Sequence, residues 1–107
     1  MIRILLADDS ILVRTVLREA LHSNGDLTVV GEAANGIEAV ALTKSLKPDM
    51  IVMDILMPLM DGLEATRGIR ELEKLAGTRI VIIGLTADAG AAIYEECRSA
   101  GMDDVLV

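Results

Sequence analysis

Short aliphatic runs alternate with stretches of helical spacing about five times along the 107 residues. The first run is Ile2-Arg3-Ile4-Leu5-Leu6-Ala7 and the third is Met50-Ile51-Val52-Met53. Runs this short, apolar almost throughout and bounded by polar residues, suit strands buried on both faces of a parallel sheet. Between them Val13, Val16, Leu17, Ala20 and Leu21 recur at helical spacing, and Asn24-Gly25, a pair that tolerates positive φ, is expected to end that helix. A second strand is expected from Leu27 to Gly31, followed by a helix from Asn35-Gly36 to about Leu46. Lys47-Pro48-Asp49 breaks that helix ahead of the third strand, Met50 to Asp54. Ala65, Ile69 and Leu72 form the inner stripe of a third helix. Arg79 to Gly84 reads as the fourth strand, Asp88 to Ala100 as the fourth helix, and Asp104 to Val107 as a last strand entered through Gly101. The alternation predicts one α/β domain over residues 1–107, a doubly wound parallel five-stranded sheet with crossover helices and no linker or repeat.

Each of three acidic residues closes a strand. Asp8 and Asp9 follow the first run, and Asp54 ends the third. In the doubly wound order 2-1-3-4-5, strands 1 and 3 are neighbours, so these carboxylates converge at the strand C-terminal edge where the winding reverses and ligands bind. Three carboxylates in one cleft repel and raise one another's pKa unless a cation compensates. A hard divalent ion with oxygen ligands answers that need, and Mg2+ suits one or two carboxylates, a carbonyl and several waters. Such a site fits phosphoryl transfer, with Asp54 as the most central candidate for attack on phosphorus to form an acyl phosphate. Thr86, at the end of the fourth strand, offers a hydroxyl to a phosphoryl oxygen.

Composition narrows the choice further. The chain is 52% hydrophobic but only 1% aromatic, with no Phe, no Trp and one Tyr, so its core is aliphatic. That weighs against flavin and single-stranded nucleic-acid sites, which stack rings on side chains. A net charge of −7 repels phosphate backbones and acidic membrane surfaces. No run approaches the roughly 20 apolar residues of a membrane span and the first is too short for a signal peptide, so a soluble cytoplasmic protein without direct nucleic-acid or membrane contact is expected. Cys97 lies on a helical apolar stripe and reads as inert packing. His22 falls at a helix end, where a cation suits the dipole. Asp103-Asp104 begins a strand at the opposite edge and reads as turn chemistry. Tyr94 lies beside the stripe of the fourth helix, as a half-exposed packing residue.

Four motifs in order, Leu6-Ala7-Asp8-Asp9-Ser10, Met53-Asp54 through Asp61-Gly62, Gly84-Leu85-Thr86-Ala87 and Ala100-Gly101-Met102-Asp103-Asp104, closely resemble the receiver domain of bacterial response regulators. Leu6 to Arg67 looks like a chemotaxis methylesterase receiver, and Ile83 to Asp104 more like receivers of hybrid sensor kinases. The resemblance implies a flavodoxin-like fold and a phosphoacceptor domain that assists its own phosphotransfer and dephosphorylation without being an enzyme for another substrate. It implies that Asp54 accepts the phosphoryl group of a histidine-kinase phosphohistidine, so the partner is a sensor histidine kinase or phosphotransfer domain. It implies Mg2+ bound by Asp9, Asp54 and the Leu56 carbonyl, with Asp8 acting largely through water. Thr86 would move toward the new phosphoryl group and a partner surface would rearrange, while Leu56 and Asp88 would tune the lifetime of the acyl phosphate.

The chain departs from the family pattern in two ways. Val105 stands where the family has a switch aromatic, and the family's lysine would fall one residue past Val107, with the fifth helix also absent. These departures leave room for a receiver-like binding or assembly module that no longer switches. A metal-dependent aspartyl phosphatase fits less well, because its second Asp follows the nucleophile by two residues. A flavin carrier lacks the aromatics. With four helices, the right-handed crossover rule places helices 2, 3 and 4 on one face and helix 1 alone on the other. About five aliphatic side chains of strands 3, 4 and 5 are then expected to be wet, and a homodimer or a partner segment is expected to cover them.

Overall fold

The computed structural model describes residues 1–88 and 90–107; Ala89, which falls within the helix expected from Asp88, lies outside the described residues. The elements alternate as β1 (Ile2–Ala7), α1 (Ile11–His22), β2 (Leu27–Ala33), α2 (Gly36–Leu46), β3 (Met50–Asp54), α3 (Gly62–Ala76), β4 (Val81–Leu85), α4 (Ala91–Ala100) and β5 (Asp104–Leu106). The five strands are parallel in the order β2-β1-β3-β4-β5, as the pattern predicted.

The core is split by the sheet. On one face Leu5, Ile51, Met53 and Ile82 meet Ala39 of α2, Ala65 and Ile69 of α3, and Cys97 of α4. On the other Ile4, Leu6 and Val29 are covered by Leu17 and Leu21 of α1. β1 carries buried residues toward both sides, which explains its unbroken apolar run: Ile4, Leu5 and Leu6 are all fully buried. Cys97 belongs to the larger cluster, and burial pushes its thiol pKa up, as suits a packing residue.

Local signals set the helix starts better than the ends. Ser10, Asn35 and Asp61 cap α1, α2 and α3, each accepting a backbone N–H three residues on. Glu38 also reaches back past the cap, accepting the Ala34 N–H at 2.8 Å. Asn24-Gly25 follows the end of α1 without the expected positive φ: Ser23 is the C-cap in a right-handed conformation, its N–H donating to the Glu19 carbonyl, and the Asn24 N–H donates to the Leu21 carbonyl. β2 runs two residues beyond Gly31 because Glu32 and Ala33 continue the pairing with Leu6 and Ala7. β4 begins at Val81, after Ile80 has given its N–H to the Glu73 carboxylate, and it continues to Leu85 opposite Asp54. α4 begins at Ala91; Asp88 instead accepts the Gly90 N–H at 2.7 Å in the preceding turn.

Two residues do more than their position suggested. His22 stands in the last turn of α1 as expected, and its Nε2 also accepts the Val29 N–H at 3.1 Å, so the ring pins α1 to β2. Asp103 does more than turn the chain: it accepts from Ile82 N–H and from the Arg70 and Arg79 guanidinium groups.

Candidate functional site

The sheet order brings the three carboxylates together. One oxygen from each of Asp8, Asp9 and Asp54 lies within 4.8 Å of the others, with Asp8 buried, Asp9 exposed and Asp54 partly buried. β1 and β3 are adjacent and in parallel register, Ala7 opposite Met53, so the residues that follow each pair share one edge. The Ser10 N–H donates to Asp8 Oδ1 at 2.8 Å while its own Oγ caps α1, so one residue both orients Asp8 and starts the helix. Sequence reasoning passed over Ser10 as a positioning residue, although a serine following an acidic pair at a strand end is a capping signal.

Asp54 is held from below by main chain. Leu56 N–H donates to its Oδ1 at 3.2 Å, and Ile55 N–H to the Leu85 carbonyl at 3.1 Å, which ties the loop to β4. Gly62 packs so closely that a Cβ there would lie 2.3 Å from the Asp54 carbonyl oxygen. A side chain would push the aspartate out of place, which explains the glycine after Asp61. Leu59 holds a left-handed φ of 67°, and Gly36 donates to the Met60 carbonyl at 2.8 Å, fixing the loop against the start of α2. Leu56 and Leu59 are each 80% exposed, and Ile11 and Leu12 at the start of α1 are each 72% exposed, so the acidic cleft has an apolar rim.

Thr86 stands at the end of β4, its N–H donating to the Leu106 carbonyl at 3.0 Å. Its Oγ1 accepts the Asp88 N–H at 3.0 Å, leaving the hydroxyl proton available to another acceptor. Asp88 joins this turn and is not one of the three clustered carboxylates.

Burial, Asp8 and then Asp9 together push the Asp54 pKa up to about 6, against which the Leu56 and Ile55 N–H groups act. The native state therefore binds the Asp54 proton more tightly than the unfolded chain does. Stability falls as pH rises from about 4 through 6, because over that window the native state holds the extra proton. Solvent screening at a partly exposed group limits the loss to about 1 to 2 kcal/mol. Urea melts at pH 4.5 and 7.5 in a chelator should show this slope, and Asp54→Asn should remove that part of it. A slope unchanged by the substitution would place the responsible proton elsewhere.

The donor set fits a hard divalent cation. All three side chains offer carboxylate oxygens within 4.8 Å of one another, and the Leu56 carbonyl accepts no hydrogen bond from the described residues, which suits an ion that takes oxygen ligands. Asp103 and Asp104 lie outside this cluster.

An open parallel sheet with an acidic cleft at its switch point belongs to the doubly wound class of α/β domains, which place their sites at that edge. The profile described as "Response regulator receiver domain" matches residues 4–107. The protein-glutamate methylesterase/protein-glutamine glutaminase of Thermotoga maritima is 41% identical over 105 residues, covering 98% of this chain and 30% of that protein. The receiver domain of the histidine kinase CKI1 from Arabidopsis thaliana, solved as a complex with Mg2+, superposes with a TM-score of 0.86 at 35% identity, over 98% of this chain and 81% of that one. A co-crystal of the Saccharomyces cerevisiae histidine phosphotransfer protein Ypd1 with the receiver domain of Ssk1 matches with a TM-score of 0.90 at 27% identity, over 98% of this chain and 77% of the other. The chain belongs to the response regulator receiver domain family, a signalling class of the flavodoxin-like fold. It spans about a third of the length of the curated methylesterases it matches. Among the described residues no helix is long and apolar enough to cross a membrane.

Proposed function

We propose that residues 1–107 act as one receiver domain that accepts a phosphoryl group on Asp54 from the phosphohistidine of a sensor histidine kinase or phosphotransfer domain. The observation that carries this reading is the convergence of Asp8, Asp9 and Asp54, with no ion pair to any of them among the described residues, where burial and the neighbouring carboxylates raise the Asp54 pKa. In the reaction an Asp54 carboxylate oxygen attacks phosphorus, the phosphorus–nitrogen bond breaks, and the imidazole leaves with its electron pair and takes up a proton. Asp9, Asp54 and the Leu56 carbonyl would hold Mg2+, with Asp8 reaching it largely through water. When bound, the ion neutralises the phosphoryl oxygens and the carboxylate cluster. Leu56 N–H orients the nucleophile, and the free proton of the Thr86 hydroxyl suits a phosphoryl oxygen. The rim of Ile11, Leu12, Leu56 and Leu59 suits an apolar helical surface beside the donor histidine.

The test is incubation with Mg2+ and acetyl phosphate, read by intact mass. A gain of one phosphoryl group that is lost in Asp54→Asn is the expected result, and no gain in the parent protein would overturn the reading. Val105 supports a second reading, a binding module of receiver fold that does not switch, since its aliphatic side chain packs on the core where the family's switch aromatic stands. In that case phosphorylation would leave the backbone amide spectrum around Thr86 and β5 unchanged.

Two substitutions separate roles within the site. Asp9→Ala should weaken Mg2+ binding at least about tenfold, whereas Asp103→Ala should leave it intact even while lowering the melting temperature, because Asp103 serves the charge network described above. Equal losses of Mg2+ affinity would refute the assignment of edges. Thr86→Ala should preserve Mg2+ binding and phosphoryl uptake but remove the spectral response of β5, since the hydroxyl is not one of the clustered ligands. A loss of metal affinity would show that Thr86 has been given the wrong role.

A further inference from the structure

The chain contains two asparagines, Asn24 and Asn35, and each is followed by glycine. In such a pair the glycine main-chain nitrogen can close on the asparagine side-chain carbon, because the glycine has no side chain to hinder the approach. The fold treats the two pairs in opposite ways.

Asn35-Gly36 is held shut. Asn35 is half-buried and caps α2, its Oδ1 accepting the Glu38 N–H at 2.9 Å, while Gly36 is buried as the first residue of that helix and gives its N–H to the Met60 carbonyl at 2.8 Å. The backbone there is packed so closely that a Cβ on Gly36 would lie 2.3 Å from the Met60 carbonyl oxygen. The nitrogen that would attack is committed to another partner, and freeing it means opening the first turn of α2.

Asn24-Gly25 has none of these restraints. Both residues are exposed in the turn between α1 and β2, the Gly25 N–H donates to no acceptor among the described residues, and a Cβ on Gly25 would meet nothing within 4 Å. The side chain is also set for reaction. Its Oδ1 accepts the Asp26 N–H at 2.9 Å, a donor aimed at the oxygen on which negative charge develops when the side-chain carbon is attacked.

We infer that Asn24 is a site of spontaneous modification, converted through a cyclic imide with Gly25 to aspartate and β-linked isoaspartate, while Asn35, with the same neighbour, is protected by the fold. Solvent base removes the Gly25 N–H proton and the nitrogen bonds to the Asn24 side-chain carbon. The bond from that carbon to Nδ2 breaks, and its electron pair leaves on nitrogen, which takes a proton from water and departs as ammonia. Water then adds to either carbonyl of the ring, and the ring carbon–nitrogen bond opens to restore an amide at Gly25. The new carboxylate lies just past the end of α1, where the dipole disfavours an anion. The same turn carries the Asp26 carbonyl that accepts the Ile2 N–H at 2.8 Å, so the change falls at the N-terminal ends of β1 and β2, at the edge of the sheet away from the clustered aspartates.

The test is to age the purified protein in mildly alkaline buffer below its melting transition and to map its peptides by mass, with isoaspartyl methyltransferase labelling the β-linked product. Asn24 should convert at least about tenfold faster than Asn35 in the folded protein, since Asn35 reacts only through local opening. In concentrated denaturant the two should convert at comparable rates. Gly25→Ala, which the open space and ordinary φ at that position accommodate, should slow Asn24 severalfold and leave Asn35 unchanged, with the amide spectrum verifying the fold. Equal rates at the two asparagines in the folded protein would overturn the inference. So would a preference for Asn24 that persists undiminished in denaturant, a rate at Asn24 indifferent to Gly25→Ala, or no conversion at Asn24 at all.

Discussion

Arg70→Ala is expected to lower stability by about 3 to 5 kcal/mol, a large fraction of what a domain of this size possesses. Arg70 lies largely buried on α3, and its guanidinium makes four kinds of contact. It donates to the Gly101 carbonyl at 2.9 Å, the Ile80 carbonyl at 2.7 Å, Glu73 at 2.8 Å and Asp103 at 2.8 Å. Removing it strands the Glu73 carboxylate, only 8% exposed, beside a poorer partner in Arg79 at 4.0 Å, and leaves two carbonyls short of a donor. The uncompensated buried charge, more than the lost attraction, sets the size of the effect. The double variant Arg70→Met/Glu73→Leu removes both charges and should recover much of the loss. Denaturant melts of the three proteins measure this. A single substitution that costs less than about 1 kcal/mol would mean that solvent reaches Glu73 freely.

That network also shows where the sequence stops being legible. Strand positions and the aspartates that close the runs follow from apolar periodicity, which is local, whereas the sheet order that clusters those aspartates is an assumption of the doubly wound topology that the family resemblance supports. The Arg70 contacts span 31 residues to Gly101 and 33 to Asp103, and no spacing rule joins an arginine on a helix face to the loop ahead of another strand. Asp103-Asp104 therefore looked like an ordinary turn. Helix ends failed for a related reason. Asn24 does turn the chain after α1, its N–H reaching the Leu21 carbonyl and its side chain accepting the Asp26 N–H, but it does so without the positive φ that Asn24-Gly25 suggested. The left-handed Leu59 is a conformation no propensity favours in leucine, and it holds because Gly36 and Pro58 fix the carbonyl and amide of the neighbouring Met60.

The second large effect concerns the face of the sheet that α1 leaves uncovered, where the polypeptide of residues 1–107 should self-associate. Register defines the surface. Met50 and Val52 of β3 lie opposite Val81 and Ile83 of β4, and Leu85 lies opposite Leu106 of β5. The aliphatic chains expected to be wet are so to different degrees. Met50, Val52, Ile83 and Leu85 are partly buried by their neighbours, whereas Val81 is 38% and Leu106 54% exposed. Allowing roughly a third to a half of each side chain's transfer energy over these six residues gives about 3 to 9 kcal/mol of burial still available to a second copy. That is enough to drive association once the cost of joining two molecules is partly offset by the exposed Val13 and Val16 of α1. The mass from sedimentation should rise with protein concentration through the micromolar range. Val81→Lys/Leu106→Lys should return the protein to a monomer, since both positions are already solvent-facing and a lysine there charges the surface without opening the core. A monomer at every concentration with a cooperative melt would show that the partly buried strands satisfy themselves, and that α1 alone is cover enough.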